Sequence, residues 1–271
     1  MSYECFEVSL DGPVAQLRLS RPERRNAMTT AFWRELPQAV RELDARGGVR
    51  ALVISSSGPH FTAGMDLAVF QDAALGTATV DERARFRAKL EELQQSFDAL
   101  ARARFPVIAA VQGGCIGGGV DLVTACCLRY ATRDAYFVIQ EINLGMMADV
   151  GTFNRLPKQL PEAVVRELGY TGERLSAERA ERLGFVNGLF ESHAALVAGA
   201  LEVASRIASK APVAIAATKR MIAYARDHSV AESFEYLNAL QPGVFSIEDI
   251  RRSVAVAKGG TTPTYADLPA K

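Results

Sequence analysis

The sequence predicts an α/β protein with an all-helical carboxyl-terminal region. Through the first part of the chain, short apolar runs typical of strands alternate with amphipathic helical patterns, as in layered α/β proteins. After about Ala195 the strand patterns stop and four helical patterns follow one another. Of the 271 residues, 49% are hydrophobic and 23% are charged, so the chain can bury a substantial core.

The chain begins with a predicted hairpin and a helix. Strand patterns at Phe6–Leu10 and Val14–Leu19 flank the turn Asp11-Gly12-Pro13, a composition typical of hairpins. A helix is expected over Thr30–Ala45, capped by its first residue, with apolar side chains along one face. Pro37 lies inside this pattern, so we expect the helix to kink there or to start later.

A buried strand and a long helix come next. Ala51–Ser55 is apolar throughout and is followed by turn residues, which predicts a strand. Asp81–Arg104 is charged and amphipathic and predicts a helix. The residues expected on its buried side are Phe86, Leu90, Leu93 and Phe97.

The middle of the chain places a glycine run between two predicted elements. Pro106–Val111 predicts a buried strand, and residues 113–119 contain five glycines. Val120–Cys127 then predicts a helix, and Leu128–Thr132 and Ala135–Ile139 predict two further strands.

The carboxyl-terminal region has the character of a separate helical unit. We therefore divide the chain into a core, residues 1–195, and a helical region, residues 196–271, with no low-complexity linker between them. The helices predicted in this region and at its border are Ala194–Ser209, Pro212–Arg226, Ala231–Gln241 and Ser246–Lys258.

Charge and cysteine content exclude several functions. Lysine plus arginine and aspartate plus glutamate both number 31, so no field of one sign attracts nucleic acid or an anionic membrane. The four cysteines form no CxxC pair, and we expect reduced thiols and no metal site. With no apolar run of membrane-spanning length, no signal-peptide pattern and no SKL-type ending, we expect a cytoplasmic protein.

Two glycine-containing segments are candidate backbone donor sites. Residues 61–67 follow a strand and a loop, and residues 113–119 lie between a strand and a helix. Glycines at a helix start expose N–H donors at the positive end of the helix dipole, so the two segments together could form an oxyanion hole. A tight turn remains the alternative for the glycine run. The nucleotide patterns GxxxxGK[ST] and GxGxxG are absent.

Three acidic residues are candidate acid–base groups. Asp121 lies at a predicted helix start, Glu141 is expected to end the apolar strand Ala135–Ile139, and Asp149 lies among apolar and small residues. Burial of a carboxyl group raises its pKa unless the group is paired, and such groups often serve in catalysis. Capping or exposed loop positions are the alternative interpretation for each of them.

Several motifs, in order along the chain, resemble the enoyl-CoA hydratase/isomerase (crotonase) family. They are SRPERRNAM, SSGPHFTAGMDL and VQGGCIGGGVDLVTACCLRYAT. The stretches GGCIGGGVDL, QEINLGMMADVGTFNRLPK, SKAPVAIAATKRMI and YARDHSVAESFEYL look most like the Δ3,5-Δ2,4-dienoyl-CoA isomerases of that family. The resemblance implies a crotonase-type spiral of ββα repeats, followed by a helical oligomerisation region that forms homotrimers or homohexamers.

The resemblance also implies roles for individual residues. It assigns the oxyanion-hole N–H groups to Met65 and Gly118, and makes Asp149 the base at C2 and Glu141 the acid at C6. Asp121 is expected to orient or tune Glu141 through a shared hydrogen-bond network. Hydratases usually carry a small residue where Asp149 stands, so this acid is the departure that favours an isomerase. The residues expected at CoA are Arg24, Arg25, Ala27, Ala63, Gly64 and Asp66.

The implied activity is conversion of a 3,5-dienoyl-CoA to a 2,4-dienoyl-CoA, with the CoA thioester as substrate and no separate cofactor. A 2-enoyl-CoA hydratase is the first alternative, and a non-catalytic acyl-CoA-binding protein is the second. The alternative interpretation of Arg24 and Arg25 is that they are solvated surface residues that bind no ligand. Met146 and Met147 are expected to line an acyl pocket, whereas Trp33, Cys115 and the three histidines, His60, His193 and His228, are expected to have no direct role.

Overall fold

The main sheet of the protein has six strands in the order β1-β2-β3-β4-β6-β9. The computed structural model describes residues 3–71, 75–257 and 263–271. Its strands are β1 (Phe6–Asp11), β2 (Val14–Leu19), β3 (Ala51–Ser56), β4 (Val107–Val111), β5 (Gly114–Ile116), β6 (Leu128–Thr132), β7 (Tyr136–Val138), β8 (Leu175–Ser176) and β9 (Leu189–Phe190).

Helices connect most of these strands. They are α1 (Thr30–Ala45), α2 (Val80–Arg102), α3 (Gly118–Ala125), α4 (Thr152–Arg155), α5 (Glu162–Thr171), α6 (Ala177–Arg182), α7 (His193–Ala208), α8 (Pro212–Asp227), α9 (Val230–Leu240) and α10 (Ile247–Ala257). Short 3₁₀ turns add Pro22–Arg24, Leu67–Gln71 and Gln140–Leu144.

The predicted hairpin is confirmed, and the rest of the main sheet is parallel. β1 and β2 pair antiparallel from Phe6 opposite Leu19 to Asp11 opposite Val14. From β2 onward each neighbouring pair in the sheet is parallel, so a crossover must connect each strand to the next. α1 lies between β2 and β3 along the chain, and α2 lies between β3 and β4. This alternation gives the predicted α/β architecture.

A second, three-stranded sheet has the order β5-β7-β8. β5 and β7 are parallel, whereas β7 and β8 are antiparallel. The sequence did not predict β5, because its three residues lie inside the glycine run and carry no apolar alternation. This small sheet holds the glycine run next to the segment that contains Glu141.

α1 spans Thr30–Ala45 and runs through Pro37 without ending, so the expected later start is wrong. Pro37 has no N–H to donate to the Trp33 carbonyl four residues earlier. The Ser96 hydroxyl of α2 donates to that carbonyl instead, at 2.8 Å. The cap is also one residue earlier than expected: Thr29 is extended and its Oγ1 accepts from the Phe32 N–H, so Thr30 is the first helical residue.

The long helix α2 buries only its second half. Leu93 and Phe97 are buried as predicted, together with Ser96 and Leu100. Phe86 and Leu90, which were expected on the buried side, are only half-buried. The helix starts at a capping box formed by Thr79 and Glu82.

The two faces of the main sheet are covered by different helices. Alternate residues of β3 and β4, such as Ile54 and Val107, face the core shared with α1, α2 and α3. Their neighbours, such as Val53 and Ile108, face α7. α7 covers that face with one leucine and a row of alanines, Leu196, Ala200, Ala204 and Ala208. Because both faces are covered, every residue of β3 and β4 is buried.

The carboxyl-terminal helices are mostly exposed. Beyond α7, Pro212 is the buried residue of α8, and α9 has none within the described part of the chain. The expected division after residue 195 falls in the first turn of α7, which itself packs on the sheet. The division into a core and an oligomerisation region stays a prediction. No helix in the described residues is long and apolar enough to span a bilayer.

Candidate active site

Nearly all of the predicted site residues line one cavity of about 600 Å³. It opens among the loops that follow β2 and β3, the glycine run and the segment after β7. The predicted residues in its wall are Arg24, Arg25, Ala27, Ala63, Met65, Asp66, Gly118, Asp121, Glu141 and Asp149. Gly64 stands behind the wall, where its carbonyl accepts from the Met28 N–H at 2.8 Å.

The two candidate donor segments are held side by side by main-chain hydrogen bonds. Thr62 and Cys115 form an isolated parallel bridge, in which the Thr62 N–H donates to Gly114 and the Ile116 N–H donates to Thr62. Gly64 is required here, because a Cβ at its position would lie 2.5 Å from the Ile116 carbonyl oxygen. Its φ of +85° also disfavours any other residue.

Met65 and Gly118, the two predicted N–H donors, line the same cavity. A Cβ built on Gly118 would lie 3.7 Å from the Met65 nitrogen, so the two segments approach closely. Gly118 is the first residue of α3, where N–H groups are unpaired within the helix and the helix dipole is positive. Within the described part of the chain neither N–H has an acceptor, and both can serve an oxygen in the cavity.

The loop before α1 is held in place by Asn26. This residue is 4% exposed and has a φ of +52°, and its side-chain amide donates to the carbonyls of Ser57 and His60. The Thr62 hydroxyl donates to the Asn26 carbonyl at 2.7 Å. Arg24 and Arg25 flank this anchor and are exposed at the cavity mouth.

Asp121 is the most buried acid of the cavity, with 1% of its surface exposed. It lies in the first turn of α3, as predicted. Its Oδ1 accepts two hydrogen bonds from Thr152, at 2.6 Å from the main-chain N–H and at 2.7 Å from the hydroxyl. Burial raises its pKa to about 6, although the bonds from Thr152 act in the opposite direction.

Glu141 lies in the 3₁₀ turn Gln140–Leu144, which corrects the expectation that it ends a strand, since β7 already ends at Val138. Its Oε1 would be 3.1 Å from a Cβ at Gly117, so the carboxyl group lies against the glycine run. Burial raises the pKa of Glu141 to about 7, and the negative charge of Asp121 contributes in the same direction.

Asp149 lies in the loop between that turn and α4. Burial raises its pKa above the usual range for an aspartate. The loop is fixed from the side by α2, because Gln94 Nε2 donates to the Asp149 carbonyl at 2.8 Å. Three carboxyl groups from three separate segments therefore share one partly apolar cavity.

Asp121 acts on Glu141 through its negative charge. The bonds to Asp121 Oδ1 come from Thr152, so the expected hydrogen-bond network between the two acids is replaced by electrostatic coupling. Arg155, on the same helix as Thr152, forms an ion pair with Asp98 and lowers the pKa of Asp121 to a smaller extent.

Two residues that were expected to have no direct role, Trp33 and His60, lie at the site in the structure. Trp33 is 2% exposed and lies in the cavity wall, where its ring is 3.6 Å from a Cβ built on Gly118. His60 Nδ1 accepts from the Gly114 N–H at 3.1 Å and so supports the glycine run. Helical periodicity could not separate a cavity-lining tryptophan from a core one, since both face inward.

Of the two methionines expected in an acyl pocket, only Met146 lines the cavity. Met147 is 68% exposed and is not among the residues of the cavity wall. In the described residues, no group of three or more His, Cys, Asp or Glu side chains is arranged to hold a metal. That the protein needs no cofactor stays a prediction.

Two unpaired N–H donors beside three carboxyl groups of raised pKa are groups of the kind that enzymatic proton transfer uses. The donors can stabilise negative charge on a substrate oxygen, and the acids can remove and return protons. The sequence matches the enoyl-CoA hydratase/isomerase family over residues 10–262, and the chain belongs to that family.

Similar proteins include two named dienoyl-CoA isomerases. The mitochondrial Δ(3,5)-Δ(2,4)-dienoyl-CoA isomerase of Homo sapiens is 41% identical over 93% of this chain and 79% of its own length. The peroxisomal protein of the same name from Arabidopsis thaliana is 34% identical over 98% of this chain and 99% of its own length.

Solved structures of enoyl-CoA hydratases have the same fold. The enzyme from Polaromonas sp. JS666 superimposes with a TM-score of 0.86 at 29% identity, covering 96% of this chain and 99% of that one. The enzyme from Bacillus anthracis gives 0.86 at 26% identity, covering 97% and 99%. The crotonase-type fold expected from the sequence is confirmed.

These comparisons contradict the expectation that the protein is cytoplasmic. The human relative is named as mitochondrial and the Arabidopsis relative as peroxisomal. The four free cysteines indicate a reducing environment. Several compartments provide such an environment, so the thiols could not have selected the cytoplasm.

Proposed function

We propose that this protein is a Δ3,5-Δ2,4-dienoyl-CoA isomerase. The observation that carries the proposal is the third carboxyl group, Asp149, in the same cavity as Asp121, Glu141 and the two N–H donors. The named isomerases among the relatives, 33–41% identical over most of the chain, support it.

The thioester carbonyl of the substrate would accept hydrogen bonds from the N–H groups of Met65 and Gly118. As the C2 proton leaves, negative charge moves onto this oxygen, and donors already in position stabilise it without rearrangement. Loss of one such donor typically raises a barrier by about 3–4 kcal/mol. The dipole of α3 acts in the same direction at Gly118.

Two separate acids would move the proton from one end of the diene to the other. C2 and C6 are four bonds, about 5 Å, apart, which exceeds the roughly 3 Å over which one carboxyl can exchange a proton. Asp149 is proposed as the base that removes the C2 proton, and Glu141 as the acid that protonates C6. Glu141, with a pKa of about 7, holds a proton to donate near neutral pH.

The CoA part of the substrate is proposed to lie at the cavity mouth. Arg24 and Arg25 are exposed there and can face phosphate groups. The other residues expected at CoA lie in the cavity wall or, for Gly64, directly behind it; they are Ala27, Ala63, Gly64 and Asp66. The thioester itself is the substrate, and the proposed reaction requires no further cofactor.

Hydration of a 2-enoyl-CoA is the rival activity. It needs two acids and a water molecule, and Glu141 with Asp121 could supply the acids. The additional, partly buried carboxyl of Asp149 is unexplained by hydration, because removing an acid from water without an ion-pair partner is unfavourable unless the acid is used. The same three acids argue against a binding protein without activity.

The proposed assembly is a homotrimer or homohexamer formed through residues 196–271. Large apolar side chains are exposed on the helices of this region, which is unusual for a monomer. They include Ile222 (66% exposed), Val230 (73%), Phe234 (58%) and Phe245 (60%).

The test is turnover of 3,5-octadienoyl-CoA followed by ultraviolet absorbance, with hydration of a 2-enoyl-CoA measured in parallel. Growth of the conjugated 2,4-dienoyl absorbance with weak hydration is the expected result. Hydration without isomerisation would contradict the proposal and assign the protein to the hydratases. Binding of both CoA esters without turnover of either would contradict both activities.

A further inference from the structure

Thr152 holds the carboxyl group of Asp121 with both of its donors. Its main-chain N–H and its hydroxyl reach the same oxygen, Oδ1, at 2.6 and 2.7 Å. Both residues are 1% exposed, so no bulk water competes for these bonds. No other described residue donates a hydrogen bond to the carboxyl group of Asp121, and Asp121 also lines the cavity.

The local backbone delivers this pair of donors. Gly151, with a φ of +135°, ends the Asp149 loop, and Thr152 is the first residue of α4. The N–H of a first helical residue has no partner inside the helix, so it is free to donate elsewhere. The φ of +135° at Gly151 is a backbone conformation that other residues rarely adopt, so this turn favours glycine.

We propose that Thr152 is a positioning residue that keeps Asp121 ionised, so that the proton shared by the acid cluster stays on Glu141. This inference rests on the proposed function, in which Glu141 must carry the proton that is delivered to C6. Two hydrogen bonds to one carboxylate oxygen favour its charged form, because a protonated acid accepts them more weakly. The number of protons in the cluster is unchanged, and only their location differs.

The charges around Asp121 support this assignment. The negative charge of Asp149 raises the pKa of Asp121. The hydrogen bonds from Thr152 lower this pKa, and the positive charge of Arg155 lowers it to a smaller extent. The guanidinium of Arg155 is ion-paired with Asp98, so its charge is partly neutralised. Cys115 and Glu141 both feel the negative charge of Asp121, and each has a raised pKa in part for that reason.

Thr152→Val removes one donor and leaves the other. Valine has the shape of threonine and keeps the main-chain N–H, but it lacks the hydroxyl. Asp121 should then bind a proton more readily, and Glu141, facing less negative charge, should release its own. The matched control is Thr152→Ser, which restores the hydroxyl, and Thr152→Ala replaces the valine variant if that protein does not fold.

The first readout needs no substrate. Infrared difference spectra of protein carrying ¹³C-carboxyl aspartate distinguish a protonated aspartate from a protonated glutamate at neutral pH. The wild-type protein and Thr152→Ser should show a protonated glutamate, and Thr152→Val a protonated aspartate. A glutamate signal that is the same in all three proteins would overturn the proposal.

The second readout is kcat/KM for the 3,5-dienoyl-CoA as a function of pH. Its maximum should fall by about tenfold in Thr152→Val, the factor expected for one hydrogen bond to a charged group, and recover in Thr152→Ser. An equal loss in both variants at every pH would indicate a structural role only and overturn the proposal. If the wild-type protein does not isomerise the diene, the proposed function fails while the infrared result still decides the role of Thr152.

Discussion

The chemistry of the site depends on how little water reaches its carboxyl groups. Asp121, Glu141 and Asp149 all have raised pKa values, and burial is the largest cause for each. An exposed acid would be ionised at neutral pH and could only accept protons. In this cavity, one acid of the group can be protonated while another is charged, which lets the site donate and accept protons at once.

Asp149→Asn should abolish isomerisation while leaving the fold intact. The amide fills the same space but cannot remove a proton, and loss of a general base typically lowers the rate by about a hundred- to ten-thousand-fold. The measurement is kcat with the 3,5-dienoyl-CoA, next to thermal unfolding. Asp134→Asn, in an exposed turn outside the cavity, is the control and should retain full activity. Near-normal turnover by Asp149→Asn would rule out the proposed base.

Glu141 should make the protein less stable as the pH rises. Its pKa is about 7 in the folded protein and about 4.5 in the unfolded chain, so the folded state binds the proton more tightly. Its contribution to stability is complete below the unfolded value and is lost as the pH rises through the folded value. Between about pH 5 and about pH 8 the wild-type protein should lose on the order of 2 kcal/mol relative to Glu141→Gln.

Urea unfolding of both proteins at the two pH values gives this difference. Glu141→Gln removes the titrating group with little change in shape, so other groups that titrate in the same range cancel. A gap between the two proteins that does not widen with pH would mean that Glu141 is not buried as described.

Gly64→Ala should reduce kcat by about a hundred- to a thousand-fold, the range for loss of an oxyanion donor. The added methyl group would lie 2.5 Å from the Ile116 carbonyl oxygen and would force the two donor segments apart. Gly184→Ala is the matched control, since Gly184 also has a positive φ but has nothing within 4 Å. Equal losses in both variants would attribute the effect to backbone strain instead of donor spacing.

For most helices and strands, the local sequence predicted whether a segment is a helix or a strand. It did not predict where each element ends or which strands pair. The hairpin, α1 and the four carboxyl-terminal helices were predictable because each carries a strong period and clear turn residues. The strands β5, β8 and β9 have two or three residues each and lack such a signal. They exist because neighbouring backbone offers hydrogen bonds, which is a property of the assembled fold.

Ser96→Ala should destabilise the protein by about 1–3 kcal/mol, because it leaves the buried Trp33 carbonyl without a donor. Pro37→Ala returns an N–H to α1 at that carbonyl. The loss caused by Ser96→Ala should therefore be smaller when Pro37→Ala is already present. Urea unfolding of the wild type, both single variants and the double variant measures this coupling. Additive losses would show that the serine does not replace the missing helical bond.

In the whole molecule, α7 connects the two predicted regions. Its alanines lie directly on β3 and β4, and they allow the helix to approach the sheet closely. The helices that follow it leave large apolar side chains exposed. A second copy of the chain would shield this surface from water, and burial of apolar area is the main source of stability in such contacts.

Phe234→Asp should weaken the proposed assembly. Phe234 lies on α9 and is 58% exposed, so a charge there costs little in the single chain but much in an apolar contact. Sedimentation velocity should give a trimer or hexamer for the wild type and a smaller species for the variant. Asn238→Asp, an exposed polar position on the same helix, is the control. A wild-type protein that sediments as a monomer would contradict the proposed assembly.

The sequence by itself determined the α/β class, most of the elements and the identity of the candidate donors and acids. These follow from periodicity, turn residues and motifs, which are properties of neighbouring residues. Only the tertiary structure decided that Thr152 holds Asp121, that Trp33 lies in the cavity wall and that Ser96 completes α1. Each of these contacts joins residues 31 or more positions apart or depends on the shape of a cavity, so no local pattern could specify it.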